Sequence, residues 1–253
     1  MRCRSIALFG HPVFAKTYHC IHDGGAILFS FKQKHARQSF SQTGEDMIID
    51  HFMKYVFEIP RPSYLDIGAN HPWAINNTAF FYTHCKSRGV LVEPNPLLCQ
   101  LLKKERKHDR VLNVGVDAEE KTSIPFYVMT PSTLSTFDAS AVAEMEKRSY
   151  ATLDRVIRIS LLPIMDIVQQ HCITSPNIIS IDVEGNDLAI LQSFDFTICR
   201  PEVFIVETIE LGKMTKNPHI NDFFASMGYI AIADTFINTI FMDKEKVSGH
   251  FGE

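Results

Sequence analysis

Residues 64–70, YLDIGAN, decide the fold, because an apolar run breaks there at Gly68. A second apolar run, residues 89–93, follows and ends on Glu93. In a doubly wound α/β domain, a glycine after the first strand lets the backbone approach a ligand closely. An acid at the tip of the next strand accepts hydrogen bonds from ribose hydroxyls. The two runs therefore predict a nucleoside site at the ends of neighbouring strands.

The residues after Gly68 indicate which kind of nucleoside cofactor the site could bind. Gly68 is followed by Asn70, His71 and Pro72, so the G-x-G-x-x-G fingerprint of dinucleotide sites is absent. Without a glycine-rich helix start, no cradle of backbone N–H groups is offered to phosphate oxygens. The pattern favours a nucleoside without phosphates, such as S-adenosylmethionine, and disfavours a nicotinamide dehydrogenase.

Composition sets the class of protein. With 253 residues and 45% hydrophobic content, the chain can bury the core of one α/β domain. Its net charge of -4 gives no sign of a nucleic-acid partner, and no apolar run approaches the roughly 20 residues needed to span a bilayer. The six cysteines are scattered without a C-x-x-C pair, as in proteins with reduced thiols. We therefore expect a soluble cytoplasmic protein.

Two regions are expected, an N-terminal extension (residues 1–38) and a main domain (residues 39–253). The extension carries six basic residues against one acid, Asp23. It fits a solvated arm or a surface for an anionic substrate or partner. The main domain alternates apolar strands with helical patterns, which predicts a largely parallel sheet covered by helices on both faces. Its strand candidates begin at residue 64 and include residues 111–116, 124–129, 156–160, 178–183 and 203–207. The last two, residues 229–233 and 239–242, predict an antiparallel hairpin.

A second group of acids follows later strands. Asp182 and Glu184 end the apolar run 178–183 with the same side-chain direction if the strand persists, and Glu207 ends the next run. A carboxylate cluster there would attract a divalent cation or raise one carboxyl pKa enough for a base near neutral pH. No histidine or other ligand is tied to these acids by spacing, so the metal has little support.

Other candidates each have two interpretations. His71 could act as a base, or it could only hydrogen-bond its own loop. Asp117 is suited to accept from an adenine amino group, or it is an acid of a surface loop. Residues 130–136 form a hydroxyl-rich loop that could line a polar pocket or be a plain turn. Ser41 or Thr43 is expected to cap a helix that carries acids in its first turn.

The chain resembles the FkbM-family methyltransferases from about Ser41 to Asp243. Five motifs carry the resemblance in order: SQTGED (41–46), DIGAN (66–70), VEPN (92–95), STLS (132–135) and IDVEGN (181–186). Their combination is specific although each alone is weak. His71 and Pro72 depart from the small residues often found after the glycine, and the basic extension lies outside the family pattern.

The resemblance implies a class I methyltransferase fold, Rossmann-like, with a final antiparallel strand and S-adenosylmethionine as cofactor. It implies cofactor contacts at Asp66, Gly68, Asn70, Glu93 and the Asp117 region. Gln42 and Asp46 would belong to a segment that covers the cofactor, and Asp182 and Glu184 would lie on the substrate side.

We therefore expect O-methylation of a hydroxyl on a small molecule or glycan, in particular of a sugar in a glycan or its precursor. The alternatives are N- or carboxyl-methylation of a small molecule or protein, and a non-catalytic cofactor-binding module. Nucleic-acid methylation is disfavoured by the acidic balance. The sequence leaves the acceptor, the metal requirement and the oligomeric state open.

Overall fold

The computed structural model describes residues 37–183, 187–209 and 215–251, together with a short hairpin near the N-terminus. The chain divides into two compact units, residues 1–38 and residues 39–253. In the first unit, strands β1 (Ile21–His22) and β2 (Gly25–Ala26) pair antiparallel.

The second unit contains ten strands and eight helices in its described residues. The strands are β3 (Tyr64–Ile67), β4 (Gly89–Val92), β5 (Arg110–Leu112), β6 (Gly115–Asp117), β7 (Lys121–Thr130), β8 (Thr152–Pro163), β9 (Ile178–Ile181), β10 (Val203–Glu207), β11 (Tyr229–Asp234) and β12 (Asn238–Asp243). The helices are α1 (Glu45–Tyr55), α2 (Ala79–Thr83), α3 (Pro96–Glu105), α4 (Ala139–Lys147), α5 (Ile164–His171), α6 (Asp187–Gln192), α7 (Pro218–Ser226) and α8 (Lys244–Phe251). A 3-10 turn, Ser132–Leu134, follows β7.

A seven-stranded sheet in the order β11-β12-β10-β9-β3-β4-β5 forms the centre of the unit. Strand β12 runs antiparallel to both of its neighbours, and the other neighbouring strands are parallel. The mostly parallel sheet and the C-terminal antiparallel hairpin are thus confirmed. Strand β12 lies inside the sheet, between β10 and β11, so β11 forms this edge and β5 forms the opposite one.

Residues 115–163 depart from the expected pattern, because they build a second sheet in the order β6-β8-β7. The expectation of one strand over residues 111–116 is wrong, since β5 and β6 belong to different sheets. The strands expected at residues 124–129 and 156–160 are parts of β7 and β8. These two strands pair with each other antiparallel and not with the central sheet. Most of β8 alternates exposed and partly buried residues, as in an antiparallel strand with one solvated face.

Helices cover both faces of the central sheet, as predicted. One buried cluster joins Leu65 and Ile67 of β3 to apolar residues of α5, α6 and α7. The opposite cluster joins Tyr64 of β3 to residues of α1, α2, α3 and α8. Successive side chains of a strand point to opposite faces, so Asp66 shares the face of Tyr64.

Local signals explain several helix starts. Asn95 and Asn217 accept the N–H of the residue two positions on, and a proline occupies the first turn of α3 and of α7. Helix α1 differs, because Gly44 stands at its N-cap with φ 97° and has no side chain that could cap the helix. Ser41 does not stand at the N-cap, but its Oγ accepts from the first-turn N–H of Asp46 at 3.3 Å, whereas Thr43 makes no such bond among the described residues. The acids of the first turn, Glu45 and Asp46, instead accept hydrogen bonds from the segment before the helix.

Candidate active site

The carboxyl ends of the parallel strands place five residues in one row. The last residues of β3 and β9, Ile67 and Ile181, pair with each other. On one side Ile67 pairs with Val92, which pairs with Leu112, and on the other side Ile181 pairs with Val206. The next position along each strand gives the row Asn113, Glu93, Gly68, Asp182 and Glu207, which we call the carboxyl-end row. Asn238 of β12 pairs with Glu207 at its end. The row crosses the point between β3 and β9 where the order of strands reverses, which is where open α/β sheets bind ligands.

Gly68 lies at the centre of this row and has a steric reason to be glycine. Its φ is +82°, and a Cβ atom there would overlap the backbone carbonyl oxygen of Asp182. The strand ends converge at this point, since Asp182 N donates to Ile67 O at 3.0 Å and Gly68 N donates to Val92 O at 3.0 Å. The glycine therefore permits contact between two segments of the protein, in addition to any approach of a ligand.

Glu93 is a buried carboxylate held by backbone donors on both sides. Its Oε2 accepts from Asn70 N at 2.8 Å and its Oε1 from Asn95 N at 2.7 Å. Burial raises its pKa to about 7, the two N–H groups act to lower it, and the charge of Asp66 adds to the rise. A carboxylate has about four acceptor positions, so each oxygen can still accept a hydroxyl donor. This geometry suits a ribose diol.

The row suits a positively charged cofactor. Among the described residues, no lysine or arginine forms an ion pair with Glu93 or Asp182. A cation placed beside these carboxylates would relieve the repulsion between them. S-adenosylmethionine carries such a charge on its sulfur, so the residues present fit it.

Asp182 and Glu207 form the acidic half of the row. Asp182 is exposed to solvent by its accessible surface, and the protein atoms around its carboxyl group still desolvate it. Desolvation and then the charges of Asp187, Asp66 and Glu93 raise its pKa to about 7, and a hydrogen bond with Glu207 acts in the opposite direction. A carboxylate with such a pKa can take a proton near neutral pH. The structure thus brings together two of the three acids predicted to cluster.

Glu184, the third acid, lies outside the described residues, and its catalytic role stays a prediction. Among the described residues, no three His, Cys, Asp or Glu side chains are grouped so that they could hold a metal ion.

Asp66 lies in β3, two residues before Gly68, and its side chain faces the helices. Its Oδ2 accepts from Thr78 Oγ1 at 2.7 Å and from Asn76 Nδ2 at 3.4 Å. Burial raises its pKa, and the Thr78 hydrogen bond and the charge of Arg106 act to lower it. Arg106, itself fully buried, donates to Thr78 Oγ1 and to Tyr64 Oη. Asp66 therefore holds the start of α2 against β3, and a direct cofactor contact stays a prediction.

His71 is engaged with its own loop. Its Nδ1 accepts from Trp73 N at 3.2 Å and from Ala74 N at 3.1 Å. A neutral imidazole whose Nδ1 accepts carries its proton on Nε2, so neither nitrogen has a lone pair free for a substrate proton. This geometry favours the second interpretation of His71, as a residue that orders the loop.

Asn70 connects the glycine turn to the hydroxyl-rich loop. It adopts a positive φ of 48°, a conformation that asparagine tolerates better than most residues. Its Oδ1 accepts a long hydrogen bond, 3.5 Å, from Ser132 Oγ of the 3-10 turn. The loop at residues 130–136 therefore adjoins the turn, as expected of a pocket wall.

Hydrogen bonds to the neighbouring acids Glu45 and Asp46 hold the segment before α1. Both oxygens of Asp46 are occupied, by donors from Ser39, Phe40 and Ser41. Gln42 is exposed. These hydrogen bonds show that Asp46 holds the segment in its conformation. The part of Gln42 and Asp46 in covering the cofactor stays a prediction.

Glu45 and Asn238 were missed by the sequence reasoning. Glu45 Oε1 accepts from Asn238 Nδ2 at 3.0 Å and from Thr235 Oγ1 at 2.7 Å, which ties α1 to the β11–β12 turn. Burial acts to raise the pKa of Glu45, but hydrogen bonds from Asn238, Thr43 and Thr235 lower it to about 2. The signal for Glu45 was its position beside Asp46, but nothing in the sequence indicated its partner.

Asp117 lies away from the central sheet, at the end of β6. Its carboxylate forms an ion pair with Lys121 at 2.6 Å and accepts from Ala118 N at 2.6 Å. At the end of β5, the row instead contains Asn113, whose Nδ2 donates to the carbonyl oxygens of Glu93 and Pro94. The adenine contact of Asp117 stays a prediction.

A family model described as the methyltransferase FkbM domain matches residues 66–231, well over half of the chain. The chain belongs to the FkbM methyltransferase family. It is a methyltransferase that uses S-adenosylmethionine, and the matched segment contains the carboxyl-end row.

No curated protein matches the FkbM chain significantly. Among solved structures, it is similar to the 1,6-didemethyltoxoflavin-N1-methyltransferase of Burkholderia thailandensis with bound 1,6-didemethyltoxoflavin and S-adenosylhomocysteine. The identity is 10%, the alignment covers 92% of this chain and 96% of that chain, and the TM-score is 0.37. No helix of the described residues is long and apolar enough to cross a bilayer.

Proposed function

We propose that the protein methylates a hydroxyl oxygen, specifically of a sugar in a glycan or a glycan precursor. The observation that carries the proposal is the Asp182–Glu207 pair beside Gly68 and Glu93, with the pKa of Asp182 raised to about 7. A hydroxyl is a weak nucleophile that must lose its proton as it attacks, so it needs a base at this place.

Each residue of the row has a part in this proposal. Glu93 accepts hydrogen bonds from the ribose hydroxyls, and Gly68 allows the strand ends to close beneath the cofactor. Asp182 accepts the proton of the acceptor hydroxyl, and Glu207 hydrogen-bonds Asp182 and holds it in place. When bound, S-adenosylmethionine supplies a methyl group on a positively charged sulfur, which keeps the electrons of the broken carbon–sulfur bond. Alignment of the acceptor oxygen with that methyl group accounts for much of the rate.

The charge of the row favours a neutral acceptor over an anionic one. Asp66, Glu93, Asp182 and Asp187 lie close enough for their charges to act on one another. A carboxylate acceptor would be repelled by these groups, which argues against carboxyl methylation. Hydroxyl groups, by contrast, donate readily to carboxylate oxygens.

The acceptor is tested with purified protein, radiolabelled S-adenosylmethionine and a panel of monosaccharides, oligosaccharides, amines and carboxylic acids. We expect label in sugars, in a form stable to mild alkali because methyl ethers do not hydrolyse as methyl esters do. Label transferred to amines or released as methanol by alkali would contradict the proposal. Calorimetric titration with S-adenosylmethionine, with NAD as the control, checks first that the protein is correctly folded.

Two further expectations belong to this proposal. Residues 39–253 form the methyltransferase domain and residues 1–38 an extension, which the division into compact units and the start of the family match at residue 66 support. A chain that begins at residue 39 should bind S-adenosylmethionine as tightly as the full chain. A cytoplasmic location is supported by the free thiols of Cys85, Cys99, Cys172 and Cys199, and cell fractionation would test it.

A further inference from the structure

A recess of about 520 Å³ lies at the amino ends of the parallel strands, opposite the carboxyl-end row. Tyr64 of β3, Gly89 of β4 and Arg110 of β5 line it, together with the segment 171–176 that leads into β9. Strands β3, β4 and β9 have four residues each, so about 13 Å separates the recess from the row. Its volume lies in the range of small-molecule sites.

Positive charge dominates this recess. Arg61, Lys86, Arg88 and Arg110 line it, and all four are exposed. Among the described residues, none of them forms an ion pair with a carboxylate. Lys86 donates to the carbonyl oxygen of Thr83 and Arg88 to that of Ser87, and the Arg88 guanidinium also lies 5.1 Å from the ring centre of Tyr82. Four cations without counter-ions in a chain of net charge -4 form a local field that attracts anions.

The acid that lines the recess does not neutralise these cations. Asp109 turns inward, where its Oδ2 accepts from Arg106 Nε at 2.8 Å and its Oδ1 from Gly89 N at 3.0 Å. Tyr64 Oη also donates to it at 2.8 Å. Its charge is therefore compensated by the buried Arg106, and the outer cations remain available.

Two polar atoms of lining residues lack partners. Ser87 Oγ and His171 Nδ1 are buried without a hydrogen-bond partner in the part of the chain that the structure describes, and Ser87 is 3% exposed. Burial and the charge of Arg110 lower the pKa of His171, which places its ring close to that guanidinium. Buried polar atoms in native proteins nearly always have partners, so these two atoms mark a wall of the recess whose hydrogen bonding the described residues do not complete.

We propose that this recess binds a small ligand bearing phosphate groups, at a site separate from the methyl-transfer site. Guanidinium groups match phosphate oxygens through paired hydrogen bonds, and three of the four cations are arginines. A ligand with several negative charges, such as a pyrophosphate group, matches this number of cations. The net positive charge of S-adenosylmethionine disfavours it as the occupant, and phosphate groups held here lie about 13 Å from the row, at the other end of the strands.

The test is calorimetric titration of the full chain with inorganic pyrophosphate at fixed ionic strength. We expect one site, with affinity reduced about tenfold or more by Arg110→Gln and again by Arg61→Gln, because each change removes charged hydrogen bonds. Lys147→Gln is the control, since it removes an exposed cation on α4 that does not line the recess, and it should leave the affinity unchanged.

Three further arms make the test decisive. All three variants should bind S-adenosylmethionine as the wild type does, which shows that they are folded. Pyrophosphate should also bind equally well with that cofactor present, and competition between them would overturn the proposal. No binding of millimolar pyrophosphate, or an equal loss in the Lys147→Gln control, would overturn it too. A short single-stranded oligonucleotide tests binding of a polymer. If the protein bound the oligonucleotide but not pyrophosphate, the cations would form an extended surface for polyanions, and the proposed small-ligand site would be wrong.

Discussion

The two ends of the central sheet are built from the same strands but carry opposite charge. At the carboxyl end, Glu93, Asp182 and Glu207 stand in register beside Gly68. At the amino end, a recess is lined by Arg61, Lys86, Arg88 and Arg110. The acid among its lining residues, Asp109, forms an ion pair with the buried Arg106. Parallel strands in register collect residues from distant parts of the chain at each end, so one short sheet supports two chemically different surfaces. Variants at the carboxyl end should change cofactor binding, turnover or the fold, and variants at the amino end should not.

The largest effect is expected from Gly68→Ala, which would break the carboxyl end itself. The new Cβ would overlap the backbone of Asp182 at a φ of +82°, so the two strand ends must separate. We expect a loss of at least about 4 kcal/mol in the free energy of unfolding, measured in denaturant. Gly249→Ala in α8 is the control, because a Cβ there meets nothing and alanine favours a helix. Equal midpoints for Gly68→Ala and the wild type would refute the steric explanation.

Asp182→Asn should have the next largest effect, on turnover. Without the Asp182 carboxylate the acceptor loses its proposed base, and kcat should fall by about 10²–10⁴-fold while the Kd for S-adenosylmethionine stays nearly constant. Asp154→Asn, at an exposed position of β8, should leave both constants unchanged. Full activity of Asp182→Asn would remove this residue from the mechanism.

The pH dependence of turnover sharpens the same assignment. The pKa of Asp182 is raised to about 7, and the residue must be ionised to act as a base. In the wild type, kcat should therefore rise about tenfold per pH unit below pH 7 and level off above it. In Asp182→Asn the residual rate should lose this slope. A wild-type profile that is flat from pH 5 to pH 8 would contradict the prediction.

Glu93→Gln should act on cofactor binding more than on turnover. The amide loses the charge and directs an N–H group toward the backbone donors of Asn70 or Asn95. We expect the Kd for S-adenosylmethionine to rise about 10–100-fold by calorimetry. Binding by the wild type should also weaken as pH falls below about 7, since the raised pKa of Glu93 means that it becomes protonated there. An unchanged Kd in the variant would remove Glu93 from the cofactor site.

The smallest effect is expected from Glu45→Gln, which loosens α1 from the β11–β12 turn. The folded-state pKa of about 2 lies below the ordinary 4.5, so the ionised carboxylate stabilises the fold above pH 4.5, and this stabilisation is lost as the pH falls toward 2. At pH 7 the variant should lose about 1–3 kcal/mol of unfolding free energy, and the difference from the wild type should shrink below pH 4.5. The exposed change Glu144→Gln should not move the midpoint.

Much of the carboxyl end could be predicted from the sequence, because hydropathy shows where a buried strand stops. Glu93, Asp182 and Glu207 each follow an apolar run, and parallel strands must end on the same side. The sequence could not show that Gly68 faces the carbonyl oxygen of Asp182, since 114 positions separate them. The partner of Glu45 was hidden in the same way, because Asn238 lies 193 residues further on.

The second sheet and the recess were beyond the sequence for a different reason. Strands β7 and β8 have apolar patterns that suit a parallel or an antiparallel sheet, and only their pairing distinguishes the two. The cations of the recess come from separate segments around residues 61, 87 and 110, and a scattered arginine has no periodic signal. Their common position becomes visible when the amino ends of β3, β4 and β5 are brought side by side.

The registration of the strands limits how this chain can change in length. Because Ile67, Val92, Ile181 and Val206 are aligned, deletion of one residue within β9 would draw Val183 into the place of Asp182 and turn the acid to the other face of the sheet. The same deletion in the turn after β11 would shorten a loop and leave the row in place. Insertions and deletions tolerated in active variants should therefore be confined to the segments between the strands, and a library of single-residue deletions scored for methyl transfer would map the row without any substitution of its acids.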